Sequence, residues 1–155
     1  MVLLFIIICC VWNIIGVHLV YRLFKKKHML FDDRFTMTMC MTAAMIHSFS
    51  VALHLELVVA SLNKFLFLCP ILIGIWIGWK FGSILKNPAR LTGIYNGSIG
   101  GLMGTMLGAV IQNPSLCSIP VVSDGVIALN MYILSIFFTI VHFKIAVFIR
   151  YSFTI

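Results

Sequence analysis

Acidic side chains are scarce in this sequence: Asp32, Asp33, Glu56 and Asp124 are the only four among 155 residues. Charged residues of both signs reach only 10%, against 62% hydrophobic. So little polar surface cannot wrap a soluble core, and lipid is the expected solvent. Signatures of conventional enzymes are missing too, with no Walker loop, HExxH or GxSxG. The cysteines Cys9, Cys10, Cys40, Cys69 and Cys117 form no CxxC pair and mostly lie in apolar runs. They read as small apolar residues rather than as disulfide partners or zinc ligands. No basic stretch precedes the first apolar run, which begins at Val2 and ends before Lys25, Lys26 and Lys27. It therefore reads as a retained span and not as a cleaved signal. The net charge of +7 does not suggest nucleic acid, because the cations separate apolar runs instead of gathering on one face.

What is present is long apolar runs, at about 2–23, 35–60, 65–84, 91–111 and 120–142. A crossing helix needs roughly 20 apolar residues, so these fill the chain and leave no separate soluble domain. The alternating pattern of a membrane barrel is absent, and helices satisfy their own backbone groups in hydrocarbon. The expected fold is all-α, a single transmembrane bundle of five spans, with four as the alternative. Asn87-Pro88 and Asn113-Pro114 mark two of the breaks. With five spans, Arg22, Lys25, Lys26, Lys27, Arg34, Lys80, Lys86, Arg90, Lys144 and Arg150 share one side, and Lys64 alone falls on the other. That asymmetry predicts an outside N-terminus and a cytoplasmic C-terminus.

Glycine is patterned. Gly74, Gly78 and Gly82 recur every four residues, and Gly93, Gly97, Gly100, Gly101, Gly104 and Gly108 fall within an arc of roughly 100° on the next helix. Close backbone approach is what holds helices together in lipid, so spans three and four are expected to form a tight hairpin. The same faces suit packing against other subunits or copies. A glycine-lined pore or groove is the other use. Asn96-Gly97-Ser98 matches a glycosylation sequon but lies inside a span.

The second span carries the most chemistry. Met37, Met41 and Met45 form one stripe, continuing through Ala52 to Glu56, while Cys40, His47 and His54 form another at seven-residue spacing, roughly opposite Glu56. Successive members of the second stripe are about 10 Å apart, so a single metal ion would need ligands from a neighbouring helix. Thioethers suit Cu(I) and imidazoles suit copper or zinc, which makes Met37, Met41, Met45, His47 and His54 a candidate copper path. Packing of flexible methionines and interhelical hydrogen bonds of the histidines explain the same residues without metal. A carboxylate in hydrocarbon has to be protonated, paired or near headgroups. Glu56 and Asp124 are the candidate pair for a cation or proton site. Asn13, His18, Asn130 and His142 are expected to bond between helices. Histidines on facing helices, from His18, His47, His54 and His142, are what a haem- or quinone-carrying subunit would need. Trp79 beside Lys80 reads as an interfacial anchor.

The segment GIYNGSIGGLMGTMLG, from Gly93 to Gly108, resembles the stretch GxxSGxMGGMMGAMLG of an uncharacterised family of small Met- and Gly-rich membrane proteins from Bacillus-type bacteria. The likeness runs mainly over Phe65–Ile111 and partly over Phe35–Met45. It implies a helical protein of a bacterial plasma membrane, and the family's methionine content suggests copper handling. Thr92 and Ala109 stand where the family pattern has acids, so a metal site built on those acids is missing here. The expected function is non-enzymatic: a helical subunit of a membrane complex or homo-oligomer packed through its glycine faces, or else a small transporter or copper-handling protein.

Overall fold

The computed structural model describes residues 2–27, 32–59, 66, 68–85, 87–118 and 123–153. Among them the chain is all-helical: α1 (Val2–Lys27), α2 (Asp33–Val59), α3 (Leu68–Gly82), α4 (Asn87–Gln112) and α5 (Asp124–Ser152), with a 3-10 turn at Pro114–Cys117 between the last two. Four helices, α1, α2, α4 and α5, are long and apolar enough to cross a membrane. The fifth, α3, is a shorter apolar helix, so the expected count of five crossings rests partly on residues 60–65 and 67, which lie outside the described set. Pro88 does not delay α4 to residue 91 as expected but sits in its first turn, where a missing N–H costs nothing. α5 likewise runs ten residues past the expected end at 142, because Lys144 and Arg150 stay exposed on a helix whose other face carries the buried Ile149.

Position in the bundle follows from side-chain size. α2 is rich in Ala, Ser and Thr, and 61% of its most apolar stretch is buried, against 22% in α1 and 17% in α5. It is the central helix and packs on all four others. α1 and α5 turn Leu, Ile, Val and Phe outwards, as at Leu4, Leu19, Ile133, Phe143 and Phe148, which is the surface that lipid accepts.

α4 has two glycine ridges rather than one. Gly93 and Gly97 meet α3: an added Cβ would lie 2.6 Å from the Gly78 carbonyl at Gly93, and 2.7 Å from the Gly74 carbonyl at Gly97. From the α3 side, a Cβ at Gly74 would lie 2.7 Å from the Gly101 Cα, one at Gly82 2.7 Å from the Arg90 Cα, and one at Gly78 would run into the Gly93 carbonyl. The second ridge, Gly100, Gly104 and Gly108, faces α2, where added carbons would meet the Met45 carbonyl, the Phe49 carbonyl and, at 2.9 Å, the Glu56 Cβ. Each ridge is an i, i+4 series, so one helix can offer bare backbone to two neighbours at once. The Ser48 hydroxyl ties α2 to α3 by donating to the Gly74 carbonyl at 2.9 Å.

Two apolar clusters close the ends of the remaining interface, between α2 and the α1–α5 pair. At the end rich in basic residues, Phe24 makes edge-on contacts with Phe81 and Phe153, whose ring centroids lie 5.7 and 5.0 Å away, and Lys27 donates to the Phe153 carbonyl at 2.8 Å. At the other end Ile6, Leu53, Leu57 and Ile111 pack together.

Candidate functional site

Between those clusters the α1–α2–α5 interface is polar. α2 contributes His47, Ser50 and His54, α5 contributes Ser135, Thr139 and His142, and α1 contributes Asn13; all but the partly buried Thr139 are buried. The spacing explains the grouping, since positions three, four and seven apart share a helix face. Asn13, His47 and Thr139 lie near the middle of their helices, and His54 lies five residues before the end of α2.

The central element is a pair of imidazoles. His47 Nδ1 and His142 Nδ1 are 3.3 Å apart, with ring centroids 4.4 Å apart. A hydrogen bond between two like nitrogens requires one to carry the proton and the other to be bare, so the neutral rings hold opposite tautomers. Their outer nitrogens, both Nε2, are buried and have no hydrogen-bond partner among the described residues. Gly16 of α1 makes the room: an added Cβ there would lie 2.6 Å from His142 Nε2. Gly16→Ala should therefore displace the His142 ring and break the pair, at a cost of about 1–3 kcal/mol for overpacking. Imidazole 15N shifts of the labelled protein would check this, with Gly125→Ala, where nothing among the described residues lies within 4 Å of the added carbon, as the unperturbed reference.

About two turns away a second network crosses all three helices. Asn13 Nδ2 donates to the Cys9 carbonyl at 2.9 Å and to Thr139 Oγ1 at 3.2 Å. Thr139 in turn faces His54 Nε2 at 3.4 Å, and His54 Nδ1 donates to the Ser50 carbonyl at 2.7 Å. With the proton on Nδ1, His54 Nε2 is the acceptor for the threonine hydroxyl. Asn13 Oδ1, Ser50 Oγ and Ser135 Oγ remain buried without partners among the described residues. Polar atoms buried like this are normally satisfied, and ordered water is the usual means.

The remaining candidates fall elsewhere. Met37, Met41 and Met45 lie on another side of α2, since Met45 and His47 are about 200° apart around the helix; Met41 is exposed and the other two are half-buried. The structure thus does not bring the methionine stripe to the histidines. Among the described residues, no group of three or more His, Cys, Asp or Glu is placed to hold one metal ion. Glu56 is buried against Gly108, its Oε2 without a partner among the described residues, whereas Asp124 is exposed at the start of α5. Both sit at the end opposite Lys25, Lys26 and Lys27, but no hydrogen bond or ion pair among the described residues joins them. His18 is exposed in a groove beside Trp76 and Lys80, and Asn130 is exposed. His47 and His142 do face each other across two helices, with their Nδ1 atoms 3.3 Å apart.

Sequence reasoning named Asn13, His47, His54 and His142 but missed Gly16, Ser50, Ser135 and Thr139. The spacing Ser135, Thr139, His142 on one face of α5 was the available signal. It is hard to read, because most hydroxyls in these helices, including Thr38, Thr42, Ser98 and Thr105, bond back to their own fourth preceding carbonyl.

Comparison with protein-family models, curated proteins and solved structures gives no match for this chain.

Proposed function

We propose that this chain is a non-enzymatic integral membrane protein that handles a cation, the proton above all, at the histidine seam between α1, α2 and α5. The observation that carries the reading is the His47–His142 pair, joined through Nδ1 with both Nε2 atoms buried and without partners among the described residues. Ionisable groups at the centre of a membrane bundle are costly and belong by default to ion or proton pathways. A ring that receives a proton at Nε2 can release another at Nδ1, so two rings linked in this way relay a proton between their outer nitrogens. Apolar clusters on both sides keep the seam occluded, which suits controlled transfer better than an open pore.

The accompanying topology is five crossings, with the basic end and the C-terminus cytoplasmic and the N-terminus outside. A bacterial plasma membrane is the location in keeping with the resemblance to Met- and Gly-rich proteins of Bacillus-type bacteria. Within a larger complex or homo-oligomer, contacts would fall on the outer faces of α1 and α5, because the α3 and α4 glycines lie against the chain's own helices. A second reading keeps the same pair and changes the cargo. Two nitrogens 3.3 Å apart match neighbouring corners of a tetrahedral site with metal–nitrogen bonds of about 2.0–2.1 Å, and copper or zinc would then be carried.

The test is reconstitution of the purified chain in liposomes containing a pH-sensitive dye, with a potassium diffusion potential imposed. Proton entry should exceed that of protein-free vesicles and return to their level in His47→Ala and His142→Ala. Copper or zinc uptake without proton entry would favour the metal reading, and neither flux would sink both.

A further inference from the structure

Along the outer face of the bundle, α1 and α5 diverge into a groove of about 430 Å³. Its walls are apolar, with Leu19, Phe143 and Val147 turned outwards. Its mouth holds three cations, Arg22 and Lys26 from α1 and Arg150 from α5, and no acid lines it among the described residues. From Gly16, at the inner end, to Lys26 the groove follows ten residues of helix, about 15 Å. That is half the roughly 30 Å hydrocarbon thickness of a bilayer, the depth of one leaflet.

We infer that this groove is a binding site for one anionic phospholipid of the leaflet at the basic end. The acyl chain lies along Leu19, Phe143 and Val147, and the phosphate sits among Arg22, Lys26 and Arg150. The match is twofold. From its inner end to its outermost cation the groove is as long as a single leaflet is deep, and its charge is confined to the end where that leaflet's headgroups lie. Basic pockets between helices at the cytoplasmic boundary attract anionic lipid, each cation adding to the preference, and guanidinium groups bind phosphate oxygens in pairs. The groove is separate from the histidine seam in its chemistry, although its inner end reaches Gly16, the residue that makes space for His142.

The experiment is native mass spectrometry of the full chain, purified in mild detergent and equilibrated with equal amounts of phosphatidylglycerol and phosphatidylcholine. One phosphatidylglycerol per chain should be retained in preference. In Arg22→Gln/Lys26→Gln/Arg150→Gln the preference should fall by at least about tenfold. The same number of charges removed outside the groove, in Lys25→Gln/Arg34→Gln/Arg90→Gln, should leave it unchanged. Leu19→Trp, which fills the groove with its charges intact, should also lose the lipid, and an unchanged melting temperature in each variant separates lost lipid from lost fold. Equal retention of both lipids, an equal loss in the outer-charge variant, or undiminished binding in Leu19→Trp would each overturn the site. So would a dimer that Leu19→Trp converts to monomer, since a second copy would then occupy the groove.

Discussion

Gly78→Ile is expected to take the α2–α3–α4 unit apart. The added Cβ would run into the Gly93 carbonyl and lie 2.8 Å from the Gly97 Cα, and both are backbone atoms of a helix whose adjacent ridge is held against α2. A flexible side chain could swing away; here α4 itself has to move. Overpacking a core ordinarily costs about 1–3 kcal/mol, and a displaced helix puts this substitution at or above the top of that range. Separation of α3 from α4 would also draw the Gly74 carbonyl away from the Ser48 hydroxyl, removing the bond that ties α3 to α2. Thermal unfolding and size-exclusion profiles in mild detergent would show the loss. Gly125→Ala, made in open space, should melt like the parent. A Gly78→Ile protein as stable as the parent would mean that α3 and α4 do not touch through these residues.

His47→Leu and His142→Leu should destabilise more singly than together. Either single change leaves the other imidazole buried with Nδ1 as well as Nε2 unpartnered. An orphaned buried polar group costs about 1–3 kcal/mol, whereas replacing both partners with apolar groups of similar shape is close to neutral. Interhelical hydrogen bonds in membranes average nearer 0.6 kcal/mol, because the separated helices find other partners, so the lower part of the range is expected. A double-mutant cycle of unfolding free energies measures the coupling. The double variant should be folded and yet carry no flux, separating what the pair does for stability from what it does for transfer. Additive single effects would show that the two rings do not share a proton.

Most of the helical framework is legible in the sequence, for a simple reason. Hydrocarbon allows few backbone conformations, so an apolar run of sufficient length is already an assignment. Boundaries were less legible where one residue has two uses: Pro88 ends a helix at most positions but opens one here, and Lys144 reads as the end of a span although an amphipathic helix carries it on an exposed face. The glycines were recognised as packing residues, and their spacing already contained both ridges, Gly93, Gly97 and Gly101 beside Gly100, Gly104 and Gly108. One arc of about 100° conceals that division, because the two series interleave on the helix surface. The seam was legible only in part. A histidine stands out in an apolar run, but whether His47 meets His142, His18 or lipid depends on how the helices are rotated, and periodicity does not fix rotation. The Met37, Met41, Met45 stripe shows the opposite difficulty, since ligand chemistry groups it with His47 and His54 although the two series occupy different stripes of α2.

Backbone resting on backbone has no rotamers to exchange, whereas interlocked side chains can slide by hopping between them. The glycine contacts therefore make α2, α3 and α4 the stiff wall of this bundle, and compliance collects along the α1 and α5 boundary, where rings and imidazoles supply the bearing surface. Any rocking that lets the histidine seam meet one side of the bilayer and then the other would have to be a shear of that outer pair against a stationary wall.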